Sequence, residues 1–252
     1  ELKLAHLIHA IADAEKQVEI VRQVLAEQRD FEPYTAFKRI DAFGLGYLRV
    51  ADLHQFLQEN GVPASEKDVI YLFSQYDSNG DGHVTYTDFL NAILPVTSPS
   101  LRQLATQRQS YHVGKNETLP YEVEWSLARV FDKELVSYRK IELLKEDLTY
   151  RSDFDRRDAF RTIDYDRVGY LDHECVYRFL QRNKITTSDD DILALFRRID
   201  LDQDGRISYS EFAEAITSAD PAEKQESQST KRTPIKTPPR IIGRASPTSV
   251  KK

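Results

Sequence analysis

Apolar residues recur along the first 27 positions with the period of an α-helix. Seven of them are spaced by three and four residues, which places them in one stripe on a helical surface: Leu4, Leu7, Ile11, Ala14, Val18, Val21 and Leu25. A similar stripe runs over residues 121–148, where Glu134 and Ser137 interrupt it. The pattern predicts two long helices. Each is either a coiled-coil or partner-docking helix, or a helix that packs on its own domain.

The sequence contains an internal repeat. Shifting the sequence by 123 residues superimposes its two halves without a gap over about 90 positions, so that Phe31 falls on Phe154. The repeat predicts two homologous domains, each with a leading helix and two helix-loop-helix units. The expected bounds are residues 1–94 for the first domain, 95–120 for a linker, 121–218 for the second domain and 219–252 for a tail.

Two segments of twelve residues place oxygen-bearing side chains at positions 1, 3, 5, 9 and 12, with Gly82 or Gly205 at position 6. A calcium ion takes six to eight oxygen ligands at about 2.3–2.6 Å, and a 12-residue loop with this spacing wraps around it. At position 7 only the backbone carbonyl is used, so the side chains of His83 and Arg206 are not expected to bind. The expected ligand positions are Asp77, Asn79, Asp81, His83, Thr85 and Asp88, and Asp200, Asp202, Asp204, Arg206, Ser208 and Glu211.

These loops and the apolar segments beside them resemble the EF-hand superfamily, which includes calmodulin-like and centrin-like proteins. The resemblance covers roughly residues 30–94 and 153–217. It implies an all-α fold of two EF-hand pairs, in which the loops of each pair meet through a short antiparallel β-bridge at position 8. The residues at these positions are Leu48 with Val84, and Leu171 with Ile207.

The other loop of each pair lacks ligands. The loop of residues 41–52 has Phe43 and Leu45 where two ligands belong, and the loop of residues 164–175 ends on Cys175. Neither is expected to bind calcium, and both are interpreted as scaffolds for the neighbouring loop.

The two competent loops differ at position 12, where the first has Asp88 and the second has Glu211. A side chain one methylene shorter reaches the ion less readily with both oxygens, which lowers calcium affinity and shifts preference toward octahedral magnesium. We therefore expect the second site to be the tighter calcium site, and we consider Mg²⁺ at the first site.

Composition narrows the choice of function. The chain has one Cys and no Met, so it lacks a disulfide framework and the flexible Met surface with which calmodulin-type sensors accept many targets. We expect a reducing, cytoplasmic setting and a dedicated protein partner.

There is no Gly-rich phosphate loop, and His173 with Cys175 is too small a set for zinc, so we expect no enzyme activity and no zinc site. Because the chain does not begin with Met, we expect an internal or processed fragment.

Charge is distributed unevenly. The net charge is −6, yet residues 227–252 carry seven Lys and Arg, four Pro and no acidic residue. This composition predicts a disordered basic tail, which is either a solvated terminus or an arm for an acidic surface such as nucleic acid, an anionic membrane or an acidic protein filament, for example one associated with microtubules. The sequence contains no clear nucleic-acid motif and no apolar run long enough to span a membrane.

The expected function is that of a calcium-responsive structural or adaptor protein with about one Ca²⁺ per domain. A leading helix followed by an EF-hand pair, repeated, also resembles EF-hand proteins of cilia and other microtubule-based structures. Two alternatives stay open, namely a soluble calcium buffer and an EF-hand regulatory segment of a larger enzyme.

Overall fold

The computed structural model describes residues 1–114, 117–150 and 154–218. In these residues the helices are α1 (Leu2–Glu27), α2 (Pro33–Ile40), α3 (Val50–Glu59), α4 (Glu66–Tyr76), α5 (Tyr86–Ile93), α6 (Pro99–Thr106), α7 (Tyr121–Thr149), α8 (Arg156–Ile163), α9 (His173–Arg182), α10 (Asp189–Ile199) and α11 (Tyr209–Ile216). The strands are β1 (Tyr47–Leu48), β2 (Val84–Thr85), β3 (Tyr170–Leu171) and β4 (Ile207–Ser208). The expected all-α class is confirmed. The predicted tail, residues 219–252, lies outside the described residues, and none of the described helices is long and apolar enough to cross a membrane.

Side-chain caps determine where the helices that lead into the competent loops begin. Ser65 Oγ accepts from the backbone N–H of Asp68, whose carboxylate accepts in return from the backbone N–H of Ser65. Ser188 and Asp191 form the same reciprocal pair. Each capping box satisfies two backbone N–H groups that have no partner inside the helix. Consequently α4 and α10 begin at equivalent positions of the two repeats.

The two loops of each pair meet through antiparallel strands. Leu48 lies opposite Val84 in β1 and β2, and Leu171 lies opposite Ile207 in β3 and β4. This is the register that the EF-hand resemblance implies. All four side chains are buried, so each bridge connects the ion loops to the apolar core beneath them.

The two long helices, α1 and α7, pack side by side and run antiparallel. Their ion pairs occur in opposite order along the two helices: Lys3 Nζ lies 2.7 Å from Asp147 Oδ2, and Arg22 Nη2 lies 3.2 Å from Glu134 Oε1. The start of α1 therefore lies beside the end of α7.

Each long helix also enters the core of the other repeat. The N-terminal half of α1 buries Leu4, Leu7 and Ile8 in a cluster whose members outside α1 all lie in residues 141–216. The N-terminal half of α7 buries Val123, Leu127 and Phe131 in the cluster of the first repeat. Only the C-terminal ends return to their own repeats, with Leu25 in the first cluster and Leu148 in the second.

This exchange differs from both interpretations of the apolar stripes. The stripes are covered within the chain, and the own-domain interpretation holds only for the C-terminal ends of α1 and α7. Residues 1–218 accordingly form one compact unit. The domain bounds drawn from the sequence repeat stay a prediction.

The segment between the repeats is fastened to the first repeat. The guanidinium of Arg108 donates to the carbonyl oxygens of Ala26, Gln28 and Phe31 at 2.7–2.8 Å. Carbonyls at and just beyond a helix C-terminus have no partner in the helix, so Arg108 both caps α1 and holds the middle of the linker in place.

Candidate metal centres

The second repeat gathers three carboxylates of one loop around a common point. Asp200, which follows the last residue of α10, and Asp202 and Asp204 each offer one oxygen, and these oxygens lie within 4.8 Å of one another. Two calcium–oxygen bonds of about 2.4 Å span at most about 4.8 Å. The three side chains therefore fit a hard divalent cation.

Backbone hydrogen bonds hold this loop open around that point. Asp200 Oδ2 accepts from the N–H of Gly205 at 2.9 Å, and Asp204 Oδ1 accepts from the N–H of Arg206 at 2.8 Å. Gly205 has a φ of +79°, a conformation that a residue with a side chain adopts only under strain. The glycine at position 6 is therefore required by the turn.

Glu211 closes the loop from the first turn of α11. Its Oε2 accepts from the N–H and the hydroxyl of Ser208 at 2.9 and 2.8 Å, and its Oε1 accepts from the N–H of Leu201 at 2.9 Å. Burial raises the pKa of Glu211, but these hydrogen bonds outweigh it and hold the pKa below its usual value. The closing side chain is thus a carboxylate at neutral pH.

The first repeat has a loop of the same shape. Asp77 Oδ2 accepts from the N–H of Gly82 at 2.8 Å, and Gly82 has a φ of +83°. Asn79 Nδ2 donates to Asp81 Oδ2 at 3.0 Å. These side chains occupy positions 1, 3 and 5, as in the second repeat, with one neutral amide in place of a carboxylate.

Asp88 closes the first loop with both of its oxygens engaged. Oδ2 accepts from the N–H and hydroxyl of Thr85 at 2.9 and 2.6 Å, and Oδ1 accepts from Ser78 Oγ at 2.6 Å. An ion bound by Asp88 must compete with these contacts. Both oxygens of Glu211 are engaged in the same way, so these contacts do not rank the two sites, and the weaker first site stays a prediction.

The side chains at position 7 turn toward the partner loop. The ring of His83 lies edge-on to that of Tyr47, with centroids 4.2 Å apart, and Arg206 Cζ lies 4.2 Å from the ring centroid of Tyr170. Both side chains are therefore engaged across the β-bridge. The assignment of the twelve ligand positions stays a prediction.

The degenerate loop of residues 41–52 is closed by the protein's own cations. Lys38 Nζ lies 3.3 Å from the buried Asp41 carboxylate, and Arg49 Nη2 lies 2.6 Å from Asp52 Oδ1. Asp41 Oδ2 also accepts from the N–H of Gly46 at 2.9 Å, which is the position 1 to position 6 contact of the competent loops. This loop therefore keeps the position 1 to position 6 contact although Phe43 and Leu45 stand at two of its ligand positions.

The degenerate loop of residues 164–175 keeps the same contact, from the Gly169 N–H to Asp164 Oδ2 at 2.9 Å. Burial raises the pKa of the Cys175 thiol. Throughout the described residues, the clusters of His, Cys, Asp and Glu that fit a metal consist of the Asp200 group alone. His173 and Cys175 form no such cluster with other described residues.

Five charged residues that sequence reasoning did not single out form a network, in which four side chains are buried and that of Arg198 is about one-fifth exposed. We call Glu15, Glu19, Arg22, Glu134 and Arg198 the buried charge cluster. Arg198 makes two contacts with the Glu134 carboxylate, at 2.9 and 3.2 Å, and Arg22 lies 3.3 Å from Glu15 Oε1. Arg22 Nε also donates to the carbonyl of Ala92, in α5, at 2.8 Å.

The cluster perturbs its own acids in opposite directions. Burial raises the pKa of Glu134, but Arg198 and Arg22 outweigh it, so this pKa lies below its usual value. For Glu15 burial dominates over Arg22 and Arg198, and the pKa is raised. One feature of the sequence could have indicated the cluster. Glu134 interrupts an apolar stripe at the position equivalent to Ile11, so a charged residue stands where a buried apolar one is expected.

Two helix-loop-helix pairs, bridged by short strands and carrying acidic 12-residue loops, define the class of EF-hand proteins. A family model of the EF-hand domain pair matches residues 32–94 and 154–217. The chain belongs to the EF-hand family and is an EF-hand calcium-binding protein.

Curated relatives agree with this placement. The chain is 24% identical to EF-hand calcium-binding domain-containing protein 6 of Pongo abelii, across 86% of this chain and 22% of that protein. It is 27% identical to serine/threonine-protein phosphatase with EF-hands 2 of Homo sapiens, across 61% and 20%. It is 21% identical to troponin C, isoform 2, of Caenorhabditis elegans, across 72% and 84%. The chain thus spans about a fifth of the length of the first two relatives.

Proposed function

We propose that this protein is a calcium-responsive structural or adaptor module that binds one divalent cation in each repeat and has no catalytic activity of its own. The observation that carries the proposal is the grouping of Asp200, Asp202 and Asp204 in a loop that Glu211 closes. The loop that begins at Asp77 repeats this arrangement.

Each proposed site uses the loop side chains together with one backbone carbonyl. In the second repeat the ion is held by Asp200, Asp202, Asp204 and Glu211, with the carbonyl of Arg206 and the position of Ser208 completing the set. In the first repeat the equivalent positions run from Asp77 to Asp88. Because the side chain of Asp88 is one methylene shorter than that of Glu211, this site is the weaker calcium site and the one at which Mg²⁺ competes in the proposal.

The long helices favour a responsive module over a plain calcium buffer. The helices that lead into the competent loops, α4 and α10, contact α7 and α1 through the ion pairs of Arg139 with Asp68 and Lys16 with Asp191. A movement of α4 or α10 on ion binding would therefore act directly on α7 or α1, the two longest helices of the molecule. A buffer requires no such connection.

The setting of the protein belongs to the same proposal. We place it in the cytoplasm on a cytoskeletal or ciliary assembly, where the basic tail of residues 219–252 meets an acidic filament and the module binds a protein partner. The support is the charge of the tail and the absence of a Met-rich surface. The alternative, a regulatory segment of an enzyme, is favoured by one relative that is named as a phosphatase with EF-hands.

Calorimetric titration with calcium, with and without millimolar magnesium, tests the metal sites. We expect two sites in the wild-type chain, of which Glu211→Gln weakens the tighter one by roughly 10- to 100-fold, or about 1.4–2.8 kcal/mol, because a neutral amide replaces a charged ligand. Asp77→Asn removes the weaker site. Asp41→Ala is the matched control, and it leaves the number of sites unchanged because Lys38 already neutralises Asp41.

The opposite ranking, with Asp41→Ala removing a site and Glu211→Gln leaving the affinity of the tighter site unchanged, would contradict the assignment of the loops. Circular dichroism and hydrophobic-dye binding on the same samples separate a responsive module from a buffer. A buffer binds calcium without a change in either signal.

A further inference from the structure

Each long helix is fixed to the helix that leads into the competent loop of the other repeat. Lys16 Nζ of α1 lies 2.6 Å from Asp191 Oδ1 in the first turn of α10, and Arg139 Nη2 of α7 lies 2.8 Å from Asp68 Oδ2 in the first turn of α4. Lys16 and Arg139 are equivalent under the shift of 123 residues, and so are Asp68 and Asp191. One contact is therefore made twice, in opposite directions between the repeats.

Contacts at the other ends of α4 and α10 follow the same exchange. Phe131 of α7 lies against Tyr76, the last residue of α4, with ring centroids 6.1 Å apart. Near the end of α10, Arg198 Nη1 lies 3.5 Å from Glu15 Oε2 of α1, in addition to its closer contacts with Glu134 of its own repeat. Tyr76 directly precedes the first proposed ligand of its loop, and Arg198 stands two residues before Asp200.

The apolar surfaces complete this arrangement. The first EF-hand pair covers Val123 and Leu127 of α7, and the second covers Leu4 and Leu7 of α1. An EF-hand pair that takes the apolar face of an amphipathic helix uses a known mode of peptide recognition. Here the helix comes from the neighbouring repeat of the same chain.

Ion binding in sensor EF-hands changes the angle between the two helices that flank the loop. In this chain one of those helices in each repeat, α4 or α10, is the surface on which a long helix of the other repeat lies. A change of angle at the first loop therefore acts on α7, and a change at the second loop acts on α1.

We propose that each leading helix is the bound target of the other repeat's EF-hand pair, so that the ion bound in one repeat controls the helix that belongs to the other. The interaction surface is the apolar face of each pair together with Asp68 or Asp191, and its occupant is α7 or α1. The ion-dependent part of this inference rests on the proposed metal sites.

Trp125 gives a direct readout in the full chain. It is the single tryptophan of the sequence, lies in α7 between the buried Val123 and Leu127, and is about half exposed, with Arg129 Cζ 4.7 Å from its ring centroid. Although Trp125 belongs to the second repeat, its neighbours in α7 pack on the first.

Calcium titration followed by tryptophan fluorescence, with calorimetry on the same samples, tests the crossed control. We expect the Trp125 signal to follow occupancy of the first site, to be lost in Asp77→Asn and to be retained in Glu211→Gln. A signal that follows the Asp200 site, or no signal although calorimetry shows both ions bound, would overturn the inference. If calorimetry shows no bound calcium, the proposed function fails together with the ion-dependent part of the inference.

Hydrogen exchange on the ion-free full chain tests the helix exchange without any metal. Lys16→Glu replaces an attraction to Asp191 by a repulsion, and we expect backbone exchange at least about 10-fold faster in α10 with little change in α4. Arg139→Glu gives the reverse. The matched control is Lys3→Glu, the same substitution in α1 at a pair whose two side chains are both about half exposed; such pairs contribute little. Faster exchange confined to the repeat that carries the substitution would overturn the assignment.

Discussion

Asp191 combines two roles at the start of α10. Its carboxylate accepts from the N–H and hydroxyl of Ser188 at 2.8 and 2.7 Å and pairs with Lys16 at 2.6 Å. Burial raises the pKa of Asp191, but the contacts with Lys16 and Ser188 outweigh it and lower the pKa to about 2, from an ordinary value of 3.8. A lowered carboxyl pKa means that the folded state favours the ionised form more strongly than the unfolded chain does.

The stability that Asp191 provides should therefore be present at neutral pH and be lost as the pH falls from about 4 to about 2. The pKa shift corresponds to at most about 2.5 kcal/mol. We expect Asp191→Asn to lower the free energy of unfolding by about 1–2 kcal/mol at pH 7 and by a much smaller amount near pH 2. Urea denaturation at several pH values measures this.

Asp190→Asn is the matched control for Asp191, because Asp190 is exposed in the same helical turn; it should change the free energy of unfolding by no more than about 0.5 kcal/mol. An effect of Asp191→Asn that is equally large at pH 7 and pH 2 would contradict the role of the ionised carboxylate.

Residue-level properties of the ion loops could be predicted from the sequence because they are local. A ligand position, a glycine turn and a capping acid lie within twelve consecutive residues, so their spacing alone determines the loop. The contact between Lys38 and Asp41 depends on a residue three positions before the loop begins. The spacing of ligands within the twelve loop positions therefore does not predict that the Asp41 carboxylate is paired with a cation of the protein.

At the scale of elements, the apolar stripes of α1 and α7 predict which face of each helix is buried. Leu4, Leu7 and Leu25 are indeed buried. The stripe carries no information about the covering surface, because Leu at a buried position is equally compatible with its own domain, the other repeat or a partner. The exchange between repeats became visible only in the packing of the two cores.

The exchange predicts that α1 contributes to the stability of the second repeat. Leu7 is fully buried in the second core, whereas Leu2 is exposed in the same helix. We expect Leu7→Ala to lower the free energy of unfolding by about 2–5 kcal/mol, because it leaves a cavity in that core. Leu2→Ala, the matched control, should change it by no more than about 0.5 kcal/mol.

Chemical denaturation of the full chain measures both Leu variants. Equal effects of Leu7→Ala and Leu2→Ala would contradict the packing of α1 on the second repeat. If Leu7→Ala changed the free energy of unfolding only slightly, the apolar core of the second repeat would not depend on α1.

At the scale of the whole molecule, the buried charge cluster connects elements that are far apart in the chain. Glu134 is separated by 112 residues from Arg22 and by 64 residues from Arg198. Glu19 extends the cluster to the segment after α5, where it accepts from the backbone N–H groups of Val96 and Thr97 at 2.8–3.1 Å. Pairs of residues that are so far apart in the chain cannot be predicted from the neighbouring sequence. There, Glu134 is recognisable only as a polar residue that interrupts an apolar stripe.

The position of Glu134 predicts that replacing it destabilises both repeats. Replacing Glu134 by Leu leaves the guanidinium groups of Arg22 and Arg198 without their main partner in the interior, and breaking a buried ion pair in this way costs about 3–5 kcal/mol. Because Arg198 lies in α10 and Arg22 donates to Ala92 in α5, we expect faster hydrogen exchange in both helices, together with a lower free energy of unfolding in urea. Glu146→Leu, at an exposed position of the same helix, should change neither measurement appreciably. If exchange increased in α10 alone, the cluster would belong to the second repeat and would not join the two halves of the molecule.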